Sequence, residues 1–328
     1  MSRRLTLWLG AQVAALFVVS LVTGPAAIGP LQGLWALIAG GDGPAPMIMR
    51  EIRLPRALLG AAVGAGLGLA GAALQGYLRN PLAEPGLIGV GGAAALGAVL
   101  AIQSGAAAAF VLGLPLAALA GAGVAAGLVL WLAGPRGGSI TLILAGIAIS
   151  SFAGALTALA LSLSPNPFAV MEITFWMMGS LADRSMTHVA LAVPFILAGA
   201  ALLLPLGRGL DALTLGEDAA AALGIRLSAL RLRLVGGVAL AVGAATAVAG
   251  VVGFVGLVVP HLLRPLVGGR PGALLPAAAL GGAAMVLAAD VAVRLILPRG
   301  DLKLGVLTAL VGAPLFLHLI WKTRGQLG

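Results

Sequence analysis

Cysteine is absent from this chain of 328 residues, which excludes disulfides, thiolate metal sites and cysteine nucleophiles. Lysine occurs only at Lys303 and Lys322, and no G-x-x-x-x-G-K-[ST] is present. The chain therefore carries no P-loop, and any ATPase that drives it is a different polypeptide. Charged residues make up only 9%, against about 25% in soluble domains, which excludes an ordinary soluble globule and a disordered chain alike. The three histidines, His188, His261 and His318, stand apart from carboxylates at metal-ligand spacing, so no protein metal site is expected. Ser150 and Ser151 lie in an apolar run with no base nearby. They read as hydroxyls bonded to the carbonyl a turn earlier rather than as nucleophiles. Asp290 is the best candidate for a carboxylate at membrane depth, and it stands four residues before Arg294. That spacing allows a helix-surface ion pair; a proton relay is the other reading.

What the chain does have is apolar length. Hydrophobic residues are 61% of 328, about 200, and a bilayer-spanning helix needs about 20, which allows about ten spans. The runs fall near 5–28, 54–78, 86–104, 106–133, 140–163, 189–206, 232–251, 253–268, 273–297 and 304–321. The first is long for a signal peptide and reads as an uncleaved span. The 50 glycines sit inside these runs, where small residues let helix backbones approach closely. The fold class is thus an all-α polytopic membrane protein, one transmembrane domain over residues 1–328.

The net charge of +9 could suggest nucleic acid, but the arginines are scattered between apolar runs and read as loop charge that orients the chain. With ten spans and the N-terminus inside, inner segments hold Arg3, Arg4, Arg79, Arg136, Arg208, Arg226, Arg231, Arg233, Arg264, Arg270, Lys322 and Arg324. Outer segments hold Arg50, Arg53, Arg56, Arg184, Arg294, Arg299 and Lys303. The split, 12 against 7 of 19, favours both termini in the cytoplasm. Seven outer cations nevertheless exceed what orientation alone needs. They either meet a partner, or anchor helix ends in headgroups and pair with Glu51 and Asp290.

Two connections are longer and more polar than the rest, the outer segment 164–188 and the inner segment 207–233. The inner one contains Leu215-Gly216-Glu217-Asp218-Ala219-Ala220 and then Leu223-Gly224, which predicts a short helix ending at Gly224 and a docking element at the cytoplasmic face. Gln75 to Gly86 (QGYLRNPLAEPG) breaks an otherwise continuous apolar region with two prolines and a polar cluster. Irregular backbone of that kind persists at membrane depth only where protein buries it or it lines a cavity. A faint echo relates Arg56 to Gly60 with Arg233 to Gly237; in the ten-span arrangement these helices start on opposite sides, as an inverted repeat requires.

These motifs resemble the signature of the FecCD-type permeases, membrane subunits of bacterial ABC importers for siderophores, haem and vitamin B12. The resemblance rests on Arg53-Leu-Pro-Arg56, Gly71 to Gln75 and Arg79-Asn80-Pro81-Leu82-Ala83-Glu84-Pro85-Gly86. In family order follow Leu144 to Gly146, Trp176 to Leu181, Leu215 to Ala220 with Leu223-Gly224, Gly253 to His261 with Arg264, Asp290 with Arg294, and Gly305 to Pro314. It covers roughly residues 50 to 322 and implies ten helices, a homodimer or close heterodimer around a central pathway, two ATPase subunits, and a periplasmic binding protein. It implies no cofactor on this chain, and a multi-pass place in the bacterial inner membrane. It puts Glu217 and Asp218 in the loop that contacts the ATPase and Asn80, Leu82 and Ser139 near the cytoplasmic gate, with Gln75 and Pro81 on the same pathway. Arg53, Arg56 and Arg294 would meet carboxylates of the binding protein. Where relatives often have Glu-Leu-Pro before the last helix, this chain has Asp301-Leu302-Lys303. Arg270-Pro271 stands in place of an Asp-His pair, and Met186 in place of a tryptophan. These departures bear on the substrate rather than the fold. The expected function is import of an iron chelate, haem or corrinoid by alternating access. An ion-coupled secondary transporter is the alternative, and it would need ionisable groups at mid-membrane.

Overall fold

The computed structural model describes residues 2–41, 43–134, 137–297 and 302–324, and of 319, 320 and 322–324 the backbone alone. Arg136 and Arg299 of the charge count, and Asp301 of the motif departures, lie outside the described residues. All regular structure in the described residues is helical. In chain order the helices are α1 (Arg3–Val22), α2 (Pro30–Ala39), α3 (Pro44–Met47), α4 (Leu54–Leu78), α5 (Val90–Gln103), α6 (Ala106–Ala109), α7 (Gly113–Ala133), α8 (Ser139–Ser162), α9 (Pro167–Met177), α10 (Met186–Leu203), α11 (Gly207–Leu213), α12 (Glu217–Ala222), α13 (Leu227–Ala249), α14 (Val255–Leu263), α15 (Pro271–Ile296) and α16 (Leu304–Arg324).

Seven helical stretches are long and apolar enough to cross a membrane: those containing α1, α4, α7, α8, α10, α13 and α15. Several expected runs are shorter or broken as helices, each for a local reason. The first stops at Val22 because Gly24 and Pro25 follow. The run at 86–104 begins as helix only at Val90, after a 3-10 turn (Pro85–Ile88) and Gly89 at φ 80°. The run at 106–133 is interrupted after Ala109 by extended Phe110. The run at 253–268 holds only nine α-helical residues, α14, followed by a 3-10 turn (Pro265–Val267), because Gly250 (φ 70°) and Phe254 (φ 66°) lie before α14 and Pro265 and Gly268 (φ 64°) after it. Several helices arise in segments read as connections, α2, α3, α9 and α11 among them. α2 starts on Pro30, and α9 starts on Pro167 with the Asn166 side chain accepting from the Phe168 N–H; proline at the first helical position is pre-set for the turn.

The inside of the bundle is α4 and α13. Each has 78% of its apolar window buried, against 17% for α1 and 28% for α8. These two carry the echoed Arg56–Gly60 and Arg233–Gly237 segments. α4 lies along α15 and also meets α10, α13 and α14, while α5 and α10 pack on α7 and α13 respectively. The α4–α15 seam is made by glycine: a Cβ on Gly64 or Gly282 would run into the backbone of the other helix. Without side chains there, two backbones meet directly and gain dispersion contact along the whole crossing.

Candidate functional site

The break after α4 is built around Gln75. α4 ends with Arg79 in the left-handed region (φ 51°), while the Asn80 N–H reaches back to the Gln75 carbonyl. The Asn80 side chain accepts from the Leu82 N–H at 2.9 Å and tightens the turn. Asn80, Pro81 and Leu82 are exposed, whereas Gln75 is 1% exposed. The Gln75 amide donates to the carbonyls of Ala83, Gly256 and Leu257 at 3.3–3.4 Å, and its oxygen accepts from Arg264 at 2.7 Å. One buried side chain thus ties the break, the start of α14 and the arginine at its end. Gly71 makes this closeness possible, since a Cβ there would strike the Gly256 backbone.

Glu84 supplies a second tie. Its carboxylate accepts from the Phe254 N–H at 3.0 Å, fixing a bulky residue in a left-handed conformation that costs roughly 1–2 kcal/mol. Ser150 of α8 donates across to the Gly86 carbonyl at 3.1 Å. It does not bond to its own helix as the sequence suggested, because the break brings the Gly86 carbonyl, which also accepts from the Gly89 N–H, within its reach. Together these elements wall a cavity of about 510 Å³ lined by small and apolar groups, with Glu84, Ser150, Thr157 and Thr246 as its polar points.

On the α11–α12 side the expected short helix is present. α12 ends in a Schellman turn: Gly224 sits at φ 82°, its N–H donates to the Ala221 carbonyl, and the Ile225 N–H donates to the Ala220 carbonyl. Ala220 is fully buried and Gly216 and Ala219 half-buried, while Leu215 and Leu223, flanking the helix, are 69% and 64% exposed. Asp218 is exposed. Glu217 accepts from the Ser139 hydroxyl, the first residue of α8, at 3.4 Å. A residue expected near the gate and one expected in the coupling loop, 78 positions apart, therefore touch. α11 is fastened to the start of α15 through Asp211, which accepts from the Gly272 N–H at 2.7 Å and pairs with Arg270 at 3.4 Å.

The three arginines expected at the outer face are turned inward. Arg53 is 4% exposed and donates to the carbonyls of Leu21, Val22 and Ala26 at 3.0–3.2 Å. It thereby satisfies the acceptors left open at the end of α1 and places a cation at that helix's negative end. Arg56 and Arg294 share Asp290. Arg56 reaches both carboxylate oxygens at 2.9–3.1 Å, and Arg294 reaches one at 2.7 Å. Arg294 also donates to the Ser20 and Thr23 carbonyls and the Ser20 hydroxyl at 2.7–2.9 Å. The i,i+4 pair expected for Asp290 is formed. In the loop before α10, Arg184 donates to the Val248 carbonyl at the end of α13, and burial lowers its pKa while Asp183 opposes the shift. Among the described residues no group of three or more acidic, histidine or cysteine side chains could hold a metal.

The model of the FecCD transport family matches residues 12–322. The chain belongs to the FecCD-type ABC importer permease family. It is 39% identical to the cobalamin import system permease protein of Halobacterium salinarum, over 84% of this chain and 74% of that protein. It is 38% identical to the hemin transport system permease protein of Yersinia pestis, over 85% of this chain and 84% of that protein. A solved structure described as an inward-facing metal-chelate type ABC transporter superposes with a TM-score of 0.86 at 32% identity, covering 98% of this chain and 100% of that one. Relatives named for two different cargoes are almost equally similar, so identity does not choose between them. Within this FecCD permease the structure adds three residues that the motifs did not single out: Glu84, Asp211 and Ser150. Glu84 stood inside a quoted motif without a role. Asp211 had no local pattern to mark it, because its partners lie some 60 positions away.

Proposed function

We propose that this permease carries a bulky metal chelate, a ferric siderophore, haem or a corrinoid, across the bacterial inner membrane by alternating access. Two copies enclose the pathway, two separate ATPase subunits sit at the α11–α12 face, and a periplasmic binding protein delivers the cargo to the opposite face. Ten passes are made by α1, α4, α5, α7, α8, α10, α13, α14, α15 and α16, with both termini cytoplasmic. α14 is roughly 14 Å long at 1.5 Å per residue. It is a half-membrane helix continued by the irregular stretch 250–254, an arrangement tolerated where such backbone lines a cavity.

The observation that carries this reading is the contact between Glu217 and Ser139. α8 begins at Ser139 and, further along, lines the 510 Å³ cavity with Ser150, Gly154, Thr157, Ala158 and Leu161. Movement of the exposed α12 by an ATPase is therefore delivered to a cavity wall through one helix. Leu215 and Leu223 offer the apolar contacts for that partner, and Asp218 a charge at its rim. The cavity has few polar points and no fixed cation, which suits transient passage of an intact chelate rather than capture of a stripped ion. On the outer side, Arg53 and Arg294 frame the docking face, and Arg56, 18% exposed, keeps a guanidinium edge open to a carboxylate of the binding protein.

The test is Glu217→Lys with Asp218→Lys in the assembled transporter. The expected result is ATP hydrolysis without uptake, in a protein that still inserts and assembles. Wild-type uptake by this variant would remove the assignment. The ion-coupled alternative finds no support at Asp290, whose carboxylate is already committed to Arg56 and Arg294.

A further inference from the structure

A second cavity, of about 200 Å³, lies between the end of α10, α11 and the turn into α13. Three guanidiniums line it, those of Arg208, Arg226 and Arg233, together with Pro205 and the backbone at Gly209 and Gly224. All three arginines are exposed, and none of their side chains forms an ion pair or hydrogen bond with any described residue. Two of the three carboxylates on α11 and α12 are engaged elsewhere, Asp211 with Gly272 and Arg270 and Glu217 with Ser139, and the third, Asp218, is exposed and does not line the cavity. Three like charges gathered around one concave volume repel one another, and an anion seated among them relieves that repulsion.

The surroundings say which anion. Leu204, in the 3-10 turn that follows α10, and Leu232 of α13 are 45% and 58% exposed and are the chain neighbours of the cavity-lining Pro205 and Arg233. Both lie on the apolar flank of a bundle whose membrane-spanning helices leave Phe195 and Leu197 exposed as well. Arg208 is four residues past Leu204, across that 3-10 turn and at the second residue of α11, so the cavity sits where apolar surface gives way to charge. That is the depth of a phospholipid phosphate, and arginine grips phosphate oxygens with paired N–H donors. Basic pockets between helices at a membrane face take anionic headgroups.

We infer that Arg208, Arg226 and Arg233 form a binding site for the phosphodiester of an anionic phospholipid, adjoining the coupling segment α11–α12. The site requires the chain to lie in a bilayer and is independent of the cargo it carries. A lipid seated there buttresses α11 and α12 against the ends of α10 and α13, so the lipid's charge bears on how firmly the coupling segment is held.

The experiment uses the full-length permease in a neutral detergent, exposed in turn to phosphatidylglycerol, phosphatidylcholine and inorganic phosphate. Retained lipid is counted by native mass spectrometry, and thermal midpoints are read in parallel. The expected result is selective retention of phosphatidylglycerol, at least fivefold over phosphatidylcholine, with a raised midpoint that millimolar phosphate does not reproduce. Arg208→Gln with Arg226→Gln and Arg233→Gln should abolish the preference. The triple change to lysine should keep part of it, and Arg226→Gln alone should weaken it should the triple glutamine variant fail to fold. Equal lipid retention by wild type and glutamine variants overturns the proposal, and so does protection by inorganic phosphate equal to that by lipid. Loss of ATPase assembly with lipid selectivity unchanged would assign the patch to a protein interface and likewise overturn it. None of these readouts involves uptake, so a failure here is distinguishable from a failure of the transport reading.

Discussion

Removing the Asp290 carboxylate separates a structural role for the outer arginines from a docking role. In Asp290→Ala, Arg56 loses the only acceptor it has among the described residues, and Arg294 loses its shortest charged contact. Breaking a buried ion pair by deleting one partner costs about 3–5 kcal/mol. Two features pull the value to the low end. Arg56 is 18% exposed and can turn toward water, and Arg294 keeps the carbonyls of Ser20 and Thr23. A loss of about 3 kcal/mol is therefore expected, shared between the α4–α15 and α1–α15 contacts. Replacing Asp290, Arg56 and Arg294 together by apolar residues should recover only part of it, because Ser20 and Thr23 would then lose their donor. The assay is thermal unfolding of the full chain in detergent, paired with the association rate of the binding protein. A clear fall in midpoint for Asp290→Ala is the expected result. An unchanged midpoint with slowed association would refute the reasoning and make the cluster a docking feature alone.

Further outcomes follow from the same geometry. Arg56→Glu should slow binding-protein association several-fold at low ionic strength and less at high salt, whereas Arg53→Glu should act first on folding, since it strips three carbonyls at the end of α1. Gly64→Ala should cost roughly 1–3 kcal/mol by forcing α4 off α15, while Gly10→Ala, with open space around its Cβ position, should be neutral; unfolding midpoints of the two variants decide it. Gln75→Leu leaves Arg264 without its Gln75 acceptor and takes one donor from each of three carbonyls. At about 1–3 kcal/mol for each buried group left unsatisfied, it should be among the most destabilising single changes, visible as loss of folded protein on gel filtration. Ser139→Ala should lower the number of cargo molecules moved per ATP without changing basal ATP hydrolysis, which simultaneous uptake and phosphate-release measurements would show.

Much of the bundle was readable because apolar length is a local property. Each expected run contains helix, and α4, α8 and α15 begin and end within about two residues of the predicted bounds. The Schellman stop at Gly224 was equally local, signalled by an alanine run followed by Leu-Gly. The failures arise where apolar residues conceal backbone geometry. Val251 and Val252 look like helix interior, yet Gly250 and Phe254 at positive φ leave them outside helix, because Glu84 offers the Phe254 N–H an acceptor from 170 positions away. α9 was hidden inside a polar connection, although its Asn-Pro start is a helix signal. The outer arginines show the limit most clearly. Sequence counted them as surplus charge on a surface and weighed a partner against Asp290. Only the packed structure shows that the end of α1 supplies their other acceptors, and a cation's choice between neighbour and partner depends on burial.

The most direct test of the central claim is uptake by proteoliposomes containing this permease with its cognate ATPase, supplied with the binding protein outside and ATP inside, with competing haem, ferric siderophore and cobalamin. The account predicts uptake of one intact chelate class that requires both ATP and the binding protein and is indifferent to a proton or sodium gradient. Uptake driven by an ion gradient in the absence of ATP would contradict it.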